Sequence, residues 1–446
     1  MAVSKGQRLP SLFSTTDESY HANLRRSVNS AFSMSALVQY EPFVDEVTRV
    51  FLDQTERLFA AGNKVCNFAE WLQYYAFDVI GQITYSRRHG FVDRAEDVDG
   101  MIAYLGKLFS YVAPVSNPLW PDEGEAKKIQ VGQIPWLDLL FLKNPIILLL
   151  DRLGFKLFAF PITTFAKANM TERLEEIAAS KSHGQEEIGH RGDLLSMFLK
   201  AQADRPDFMT DERVLVMAVS MAFAGSETTA ISLAAVFYFL LKNPRCYHKL
   251  KEEIDAGVEN GTIENRGDGL VSWAESQKLP YLDACIKEAF RMHPAAGLPL
   301  ERVTPPQGAE ICGRHIPGGT IVACSAWVIH RRNEVYGDDV DHYRPERWLE
   351  ASQEQLKEMN ACMLQFGAGP RTCIGKNISL LEVYKLVPSF LRRFEVGINS
   401  SVQSVGPTNS CLDQAGGARK GLASTQRLVC QAERFRYCLH DEIEIA

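Results

Sequence analysis

One thiol stands where metal chemistry is possible. The segment Phe366-Gly367-Ala368-Gly369-Pro370-Arg371-Thr372-Cys373-Ile374-Gly375 sets Cys373 in a glycine-rich loop. A cysteine ligates metal as thiolate, and a free thiol has a pKa of about 8.5, so its surroundings must favour the anion. Downstream, Ile378, Leu381, Leu386, Val387, Phe390, Leu391 and Phe394 recur at spacings of roughly three and four, which predicts a helix. The start of a helix carries free N–H groups and partial positive charge. Gly367 and Gly369 allow the loop to turn its N–H groups towards the sulfur. Gly375 leaves no Cβ between the backbone and a planar ligand, and Arg371 can reach an anionic group at such a ligand's rim. Taken alone, a cysteine among glycines is more often a small apolar core residue. The pattern F-x-x-G-x-R-x-C-x-G, five fixed residues over ten positions, shifts the balance towards a ligand.

Three further segments stand upstream of or between these elements. Lys287-Glu288-Ala289-Phe290-Arg291 puts Glu288 and Arg291 three apart, on one face of a helix, with Ile286, Ala289 and Phe290 around them suggesting partial burial. Tyr343-Arg344-Pro345-Glu346-Arg347-Trp348 carries another arginine. Ala224-Gly225-Ser226-Glu227-Thr228-Thr229 lies inside an apolar run over residues 212–241 that ends at Asn243-Pro244. A glycine and two threonines are poor mid-helix choices. They point either to hydroxyls bonding back to the previous turn or to a local distortion that opens a pocket.

In chain order, 224–229, 287–291, 343–348 and 366–375, the four segments resemble those of the cytochrome P-450 superfamily, the haem-thiolate monooxygenases, whose cysteine-held haem favours O–O cleavage. The resemblance implies a mainly α fold, with a long central helix over the haem and a small β subdomain. It implies haem b (iron protoporphyrin IX) with Cys373 as axial ligand, in a loop that includes Phe366, Gly367, Arg371 and Gly375. It implies a Glu288–Arg291–Arg347 cluster that supports this loop. It makes Glu227 and Thr228 the acid–threonine pair, Thr228 holding dioxygen and its water and Glu227 relaying protons. The partners implied are an apolar small molecule, O2 and an NADPH-dependent reductase. Phe223, Ala224, Ala296 and Leu298 are expected to face the substrate.

Further positions follow from the same resemblance. His21-Ala22-Asn23-Leu24-Arg25-Arg26 is similar to the family's propionate-binding helix, with His21 in the aromatic position and Arg25 one turn on. An exposed histidine at a helix start is the competing reading for His21. Arg302 matches the family's strand arginine, so Arg25, Arg302 and Arg371 suffice for two propionates. Helices are expected over 21–33, 43–59, 68–85, 193–201 and 277–292, with Gly81 at a close helix crossing. Strands are expected over 298–303, 309–316 and 320–326. The segments Gly132-Gln133-Ile134-Pro135-Trp136 and Lys143-Asn144-Pro145 resemble fungal members of the pisatin demethylase type. They imply hydroxylation or oxidative demethylation of a secondary metabolite or xenobiotic.

The chain has 446 residues and a net charge of −7 with both signs interspersed. No basic stripe marks a nucleic-acid binder. Ten cysteines without a C-x-x-C pair suggest neither a disulfide scaffold nor structural zinc, and a reducing compartment fits more easily. The apolar stretch 134–166 is interrupted by charges and proline and falls short of a clean spanning helix; it is expected to form buried helices and their connections, or residues 146–150 and 155–160 to line a substrate mouth or dip into a membrane surface, and both can hold. Family members of this type are anchored in the endoplasmic reticulum membrane. The chain is expected to lack the anchor and the first sheet strands, and so to be cytoplasmic or peripheral at a membrane. Residues 1–397 are expected to form one partial P-450 domain and 398–446 an atypical, disordered tail. Missing strands would leave an open edge, reduced stability and poor haem retention. Lys376, Lys385, Arg26, Arg392 and Arg393 are a candidate cationic face for the reductase, scattered surface charge being the alternative. Two rival functions remain: an inactive, truncated haem-binding protein, and a cysteine hydrolase pairing Cys373 with a histidine such as His330.

Overall fold

The computed structural model describes residues 2–4, 7–62, 64–112, 161–182, 191–398 and 443–445. The pisatin-type segments at 132–136 and 143–145, the apolar residues 146–150 and 155–160, and 399–442 lie outside the described residues. The chain divides into two compact units. The first comprises residues 1–230, 377–382 and 398–446, and the second 231–376 and 383–397. The protein is mainly helical with small sheets.

In the first unit the strands β1 (Ala2–Ser4) and β2 (Gln7–Leu9) pair antiparallel. Helix α1 (Glu18–Val28) follows, opened by the Asp17 carboxylate accepting from the Tyr20 N–H at 2.9 Å. This cap starts the helix three residues before the expected position. Helix α2 (Met34–Leu58), capped by Ser33, likewise begins earlier than expected and runs through Pro42. β3 (Val65–Cys66) pairs with a strand near the chain end, Ile443–Ile445. Helix α3 (Phe68–Tyr85) coincides with its expected range and ends where Ser86 turns left-handed, φ 55°. It is buried almost throughout. Against α2 its Trp71 indole stacks on Phe51 at 5.3 Å and donates to Thr55 Oγ1 at 2.7 Å. Helices α4 (Met101–Val112), α5 (Pro161–Ser182) and α6 (Leu194–Asp204) follow. Asp193 caps α6 and takes two bonds from buried Arg173 of α5, at 3.1 and 2.8 Å. Burial pushes the Asp193 carboxyl up, but Arg173 and Ser196 outweigh it and hold it below the usual range.

Helix α7 (Asp211–Lys242) is unbroken for 32 residues, and the unit boundary falls inside it. The motif glycine sets its approach to α3: a Cβ at Gly225 would meet Ile80 Cδ1 and Cγ1 at 2.8 Å. The expected helix crossing at Gly81 is different in kind. A Cβ there would strike the His89 ring at 2.6 Å and the Arg87 carbonyl at 3.0 Å, both in the loop after α3.

In the second unit, Pro244 and Pro280 open α8 (Pro244–Glu259) and α9 (Pro280–Met292) at first-turn positions. Pro280 is why α9 starts after residue 277. β4 (Leu300–Val303) pairs antiparallel with β7 (Ile321–Cys324), Leu300 opposite Cys324 and Arg302 opposite Val322. The single strand expected over 309–316 is a hairpin, β5 (Ala309–Ile311) and β6 (Arg314–Ile316). Cys312 and Gly313 both take positive φ (52° and 71°) at its turn, a two-residue loop of the kind that reverses strands. The strand expected to reach Ala326 stops at Cys324, because Ala326 opens a short helix, Ala326–Ile329. After the cysteine loop comes α10 (Lys376–Arg393), of which residues 377–382 belong to the first unit.

Candidate functional site

The cysteine loop lies in the second unit and is built by glycine. Gly367 and Gly369 both have φ 68°, a region costly for residues with a Cβ. The Cys373 N–H donates to the Phe366 carbonyl at 2.8 Å and closes the loop on itself. Cys373 is exposed. Phe366 meets Phe290 of α9 edge-on at 6.0 Å, which ties the loop to the helix carrying Glu288 and Arg291. Arg371 is half-buried in the turn Gly369–Arg371. A Cβ at Gly375 would find only the Cys373 Sγ, at 4.0 Å, and one at Gly369 would find nothing within 4 Å. Beside the sulfur, the space over Gly375 is therefore open. A Cβ at Gly367 would meet Leu300 Cδ1 at 3.5 Å, so that face of β4 looks onto the loop. Arg302 stands two residues on, on the same face by strand alternation, and is exposed. A thiol, two guanidiniums and a glycine floor with room above it form a donor set that fits a flat, carboxylate-bearing iron cofactor.

Behind the loop, Glu288 is fully buried and each oxygen takes several donors. Arg291 reaches it with Nε at 2.9 Å and Nη2 at 2.7 Å. Arg347 Nε reaches it at 2.8 Å and the Trp348 indole at 2.9 Å. Arg291 also bonds the carbonyls of His330, Val340 and His342, and Arg347 pairs with Asp339 at 2.8 Å. The three residues expected to cluster do meet, and their burial is complete rather than partial. Asp339 and Trp348 complete the cluster and were not found by sequence reasoning, although Trp348 follows Arg347 directly.

The acid–threonine segment lies in the first unit. Helix α7 is continuous through it, and the Ser226 and Thr228 hydroxyls donate one turn back, to Ala222 at 2.8 Å and Ala224 at 2.7 Å. The hydroxyls thus bond back to the previous turn, and the helix does not break. Ala224 and Thr228 are nevertheless exposed and Phe223 half-buried, on a helix otherwise mostly buried. Glu227 is buried and accepts from the Gln73 carboxamide of α3. His21 is buried on α1, not exposed, with half-buried Arg25 one turn on. Ala296 and Leu298 are exposed between α9 and β4 in the second unit.

Two expectations need correction. Lys385 does not belong to any cationic surface: it is buried and its Nζ donates to the Val271 carbonyl at 3.3 Å. His330 is unsuited to serve as a base for Cys373. It is buried, its Nδ1 bonds the Arg291 carbonyl at 3.1 Å, and its Nε2 accepts from the Leu364 N–H at 2.7 Å. Burial lowers its pKa to about 4. Both ring nitrogens serve the backbone, so the hydrolase reading loses the histidine named for it.

Comparison with known proteins agrees with this chemistry. The family model described as Cytochrome P-450 matches residues 7–410. A cytochrome P-450 monooxygenase of Aspergillus terreus is 42% identical over 392 residues, 88% of this chain and 74% of the relative. The monooxygenase cicH of Emericella nidulans is 40% identical over 398 residues, 89% of this chain and 73% of its own length. The monooxygenase mpaDE of Penicillium roqueforti is 36% identical over 404 residues, 90% of this chain and 43% of that longer protein. The chain belongs to the cytochrome P-450 family. It is a haem-dependent monooxygenase of mainly helical fold.

Proposed function

We propose that this protein inserts one oxygen atom of O2 into an apolar organic substrate, by hydroxylation or oxidative demethylation. The fungal relatives support a secondary metabolite or xenobiotic as substrate. The observation that carries the reading is the exposed Cys373 in a loop whose glycines leave room for a flat ligand. Haem held by a cysteine thiolate supplies the O–O cleaving chemistry of the family.

The chain's own residues divide the remaining work. Cys373 would hold the iron. The start of α10 favours the anionic sulfur, since unpaired N–H groups and the helix dipole lower a thiol's pKa. Arg371, Arg302, Arg25 and His21 would bind the propionates, where charge-assisted bonds are the strong ones. Glu288, Arg291 and Arg347 fix the backbone behind the loop. Glu227 takes up and gives up a proton at its carboxylate, and the Thr228 hydroxyl offers a donor and an acceptor. Phe223, Ala224, Ala296 and Leu298 present apolar surface to the substrate. Electrons come from an NADPH-dependent reductase.

The test is isotopic. Haem-loaded protein with reductase, NADPH and a panel of apolar fungal secondary metabolites should give products carrying one labelled atom from 18O2 and none from labelled water. Label arriving from water alone would sink the reading.

A further inference from the structure

We propose that Gln73 is a positioning residue for Glu227 and sets how readily that carboxylate takes up a proton. This rests on reading Glu227 as the proton relay. Gln73 Nε2 donates to Glu227 Oε2 although the two residues lie 154 positions apart. Gly225 makes the meeting possible, since a larger residue there would hold α7 away from Ile80 of α3. From Trp71 to Tyr85 every residue of α3 is buried except Gln73, which is half-buried. It therefore stands where a buried helix meets the open stretch of α7 around Ala224 and Thr228.

Other polar groups on the two helices have hydrogen bonds of their own, and the buried Glu382 lies one turn along its helix from Ser379, which meets Thr229. On α3, Glu70 accepts from Tyr74 and Asn67 at 2.9 and 3.1 Å. Asp78 accepts from the N–H groups of Gly90, Phe91 and Val92 at 2.7, 3.3 and 2.9 Å. The Tyr75 hydroxyl pairs with Thr48 at 2.9 Å. On α7, the Ser226 and Thr228 hydroxyls donate to their own helix, and Thr229 pairs with Ser379 at 3.2 Å.

The chemistry of the donor matters. A carboxamide N–H stabilises the carboxylate and fixes its rotamer, but brings no charge. A cation in its place would hold Glu227 ionised more strongly, and a proton carrier must reach both forms. Gln73 thus orients Glu227 while leaving it able to protonate.

The experiment uses haem-loaded protein with an NADPH-dependent reductase and no added substrate, reading hydrogen peroxide released per NADPH against pH. A relay short of protons diverts oxygen to peroxide. Gln73→Lys should lower the carboxyl's pKa and move the rise in peroxide to lower pH. Gln73→Glu should move it to higher pH, each by about one pH unit or more, the scale for a charge at contact distance. A merely structural role would change amplitude, or shift both variants the same way. Glu227→Gln should abolish the pH-dependent limb. Should that variant keep the wild-type limb, the relay reading falls and this proposal with it. Should it lose the limb while both Gln73 variants keep the wild-type midpoint, the proposal alone is overturned. A second readout needs no haem. Gln73→Ala and Glu227→Ala, alone and combined, should couple by about tenfold in the unfolding equilibrium constant, the scale of a hydrogen bond to a charged group; additivity would contradict the contact.

Discussion

Glu288 and Arg347, 59 residues apart in sequence, meet at 2.8 Å with almost no exposure to water. The pair is locked from both sides, Glu288 by Arg291 and Trp348, Arg347 by Asp339. Removing Arg347 leaves Glu288 paired with Arg291 but withdraws a buried donor from it and from the Tyr336, Asp339 and His342 carbonyls, and buried acceptors left unsatisfied cost about 1–3 kcal/mol. Arg347→Ala should therefore lose that much stability in urea unfolding. Arg347→Lys should recover only part of it, because an ammonium cannot reproduce the planar fork. A loss below about 1 kcal/mol would mean the cluster is not what supports the cysteine loop.

Gly225 and Ile80 make a second, reciprocal test. Gly225→Ala puts a Cβ 2.8 Å from two Ile80 carbons, and overpacking of this kind costs about 1–3 kcal/mol. Ile80→Ala alone leaves a cavity. Combined, the two substitutions should cost clearly less than the sum of the separate losses in denaturant midpoints. Strict additivity would show that the helices do not approach there.

Acid sensitivity should trace partly to His89. Its ring is buried among Phe77, Phe91 and Phe165, neither nitrogen has a hydrogen-bond partner, and burial lowers its pKa to about 3. Its folded pKa is depressed, so the unfolded chain binds the proton first. The contribution is full above the unfolded value of about 6.5 and is lost as pH falls towards about 3. His89→Phe should remove this loss, gaining about 2 kcal/mol relative to wild type between pH 7 and pH 5. Parallel stability curves for the two proteins over that range would contradict the assignment.

Cysteine footprinting tests the cofactor face of the β4–β7 ribbon. Cys324 lies opposite Leu300 and so shares its face with Leu300 and Arg302, the face that looks onto the loop. Cys324, Cys373 and the hairpin thiol Cys312 are all exposed. Loading haem should slow alkylation of Cys373 and Cys324, mapped by mass spectrometry, and leave Cys312 unchanged. Equal labelling of Cys324 with and without haem would place the cofactor elsewhere.

What could be read from sequence was local. The cysteine loop lies within ten consecutive residues, and Glu288 and Arg291 within one helical turn, so spacing sufficed to find them. Asp339 joins Arg347 through a loop whose path no periodicity records. The Gln73–Glu227 contact depends on two helices crossing at Gly225, and only tertiary packing brings them together. Lys385 looked like surface because lysine usually is, yet it satisfies the Val271 carbonyl from inside the unit. The hairpin at Cys312 and Gly313 was missed because a cysteine before glycine is an unusual carrier of positive φ.

The most direct measurement is the optical spectrum of reduced, haem-loaded protein with carbon monoxide, for wild type and for Cys373→Ser. A haem held by a thiolate gives a strongly red-shifted Soret band when it is reduced and binds carbon monoxide. The wild type should show that band, and Cys373→Ser, folded to the same extent by circular dichroism, should lose it. Persistence of the band in the serine variant would mean that Cys373 is not the sulfur that holds the iron.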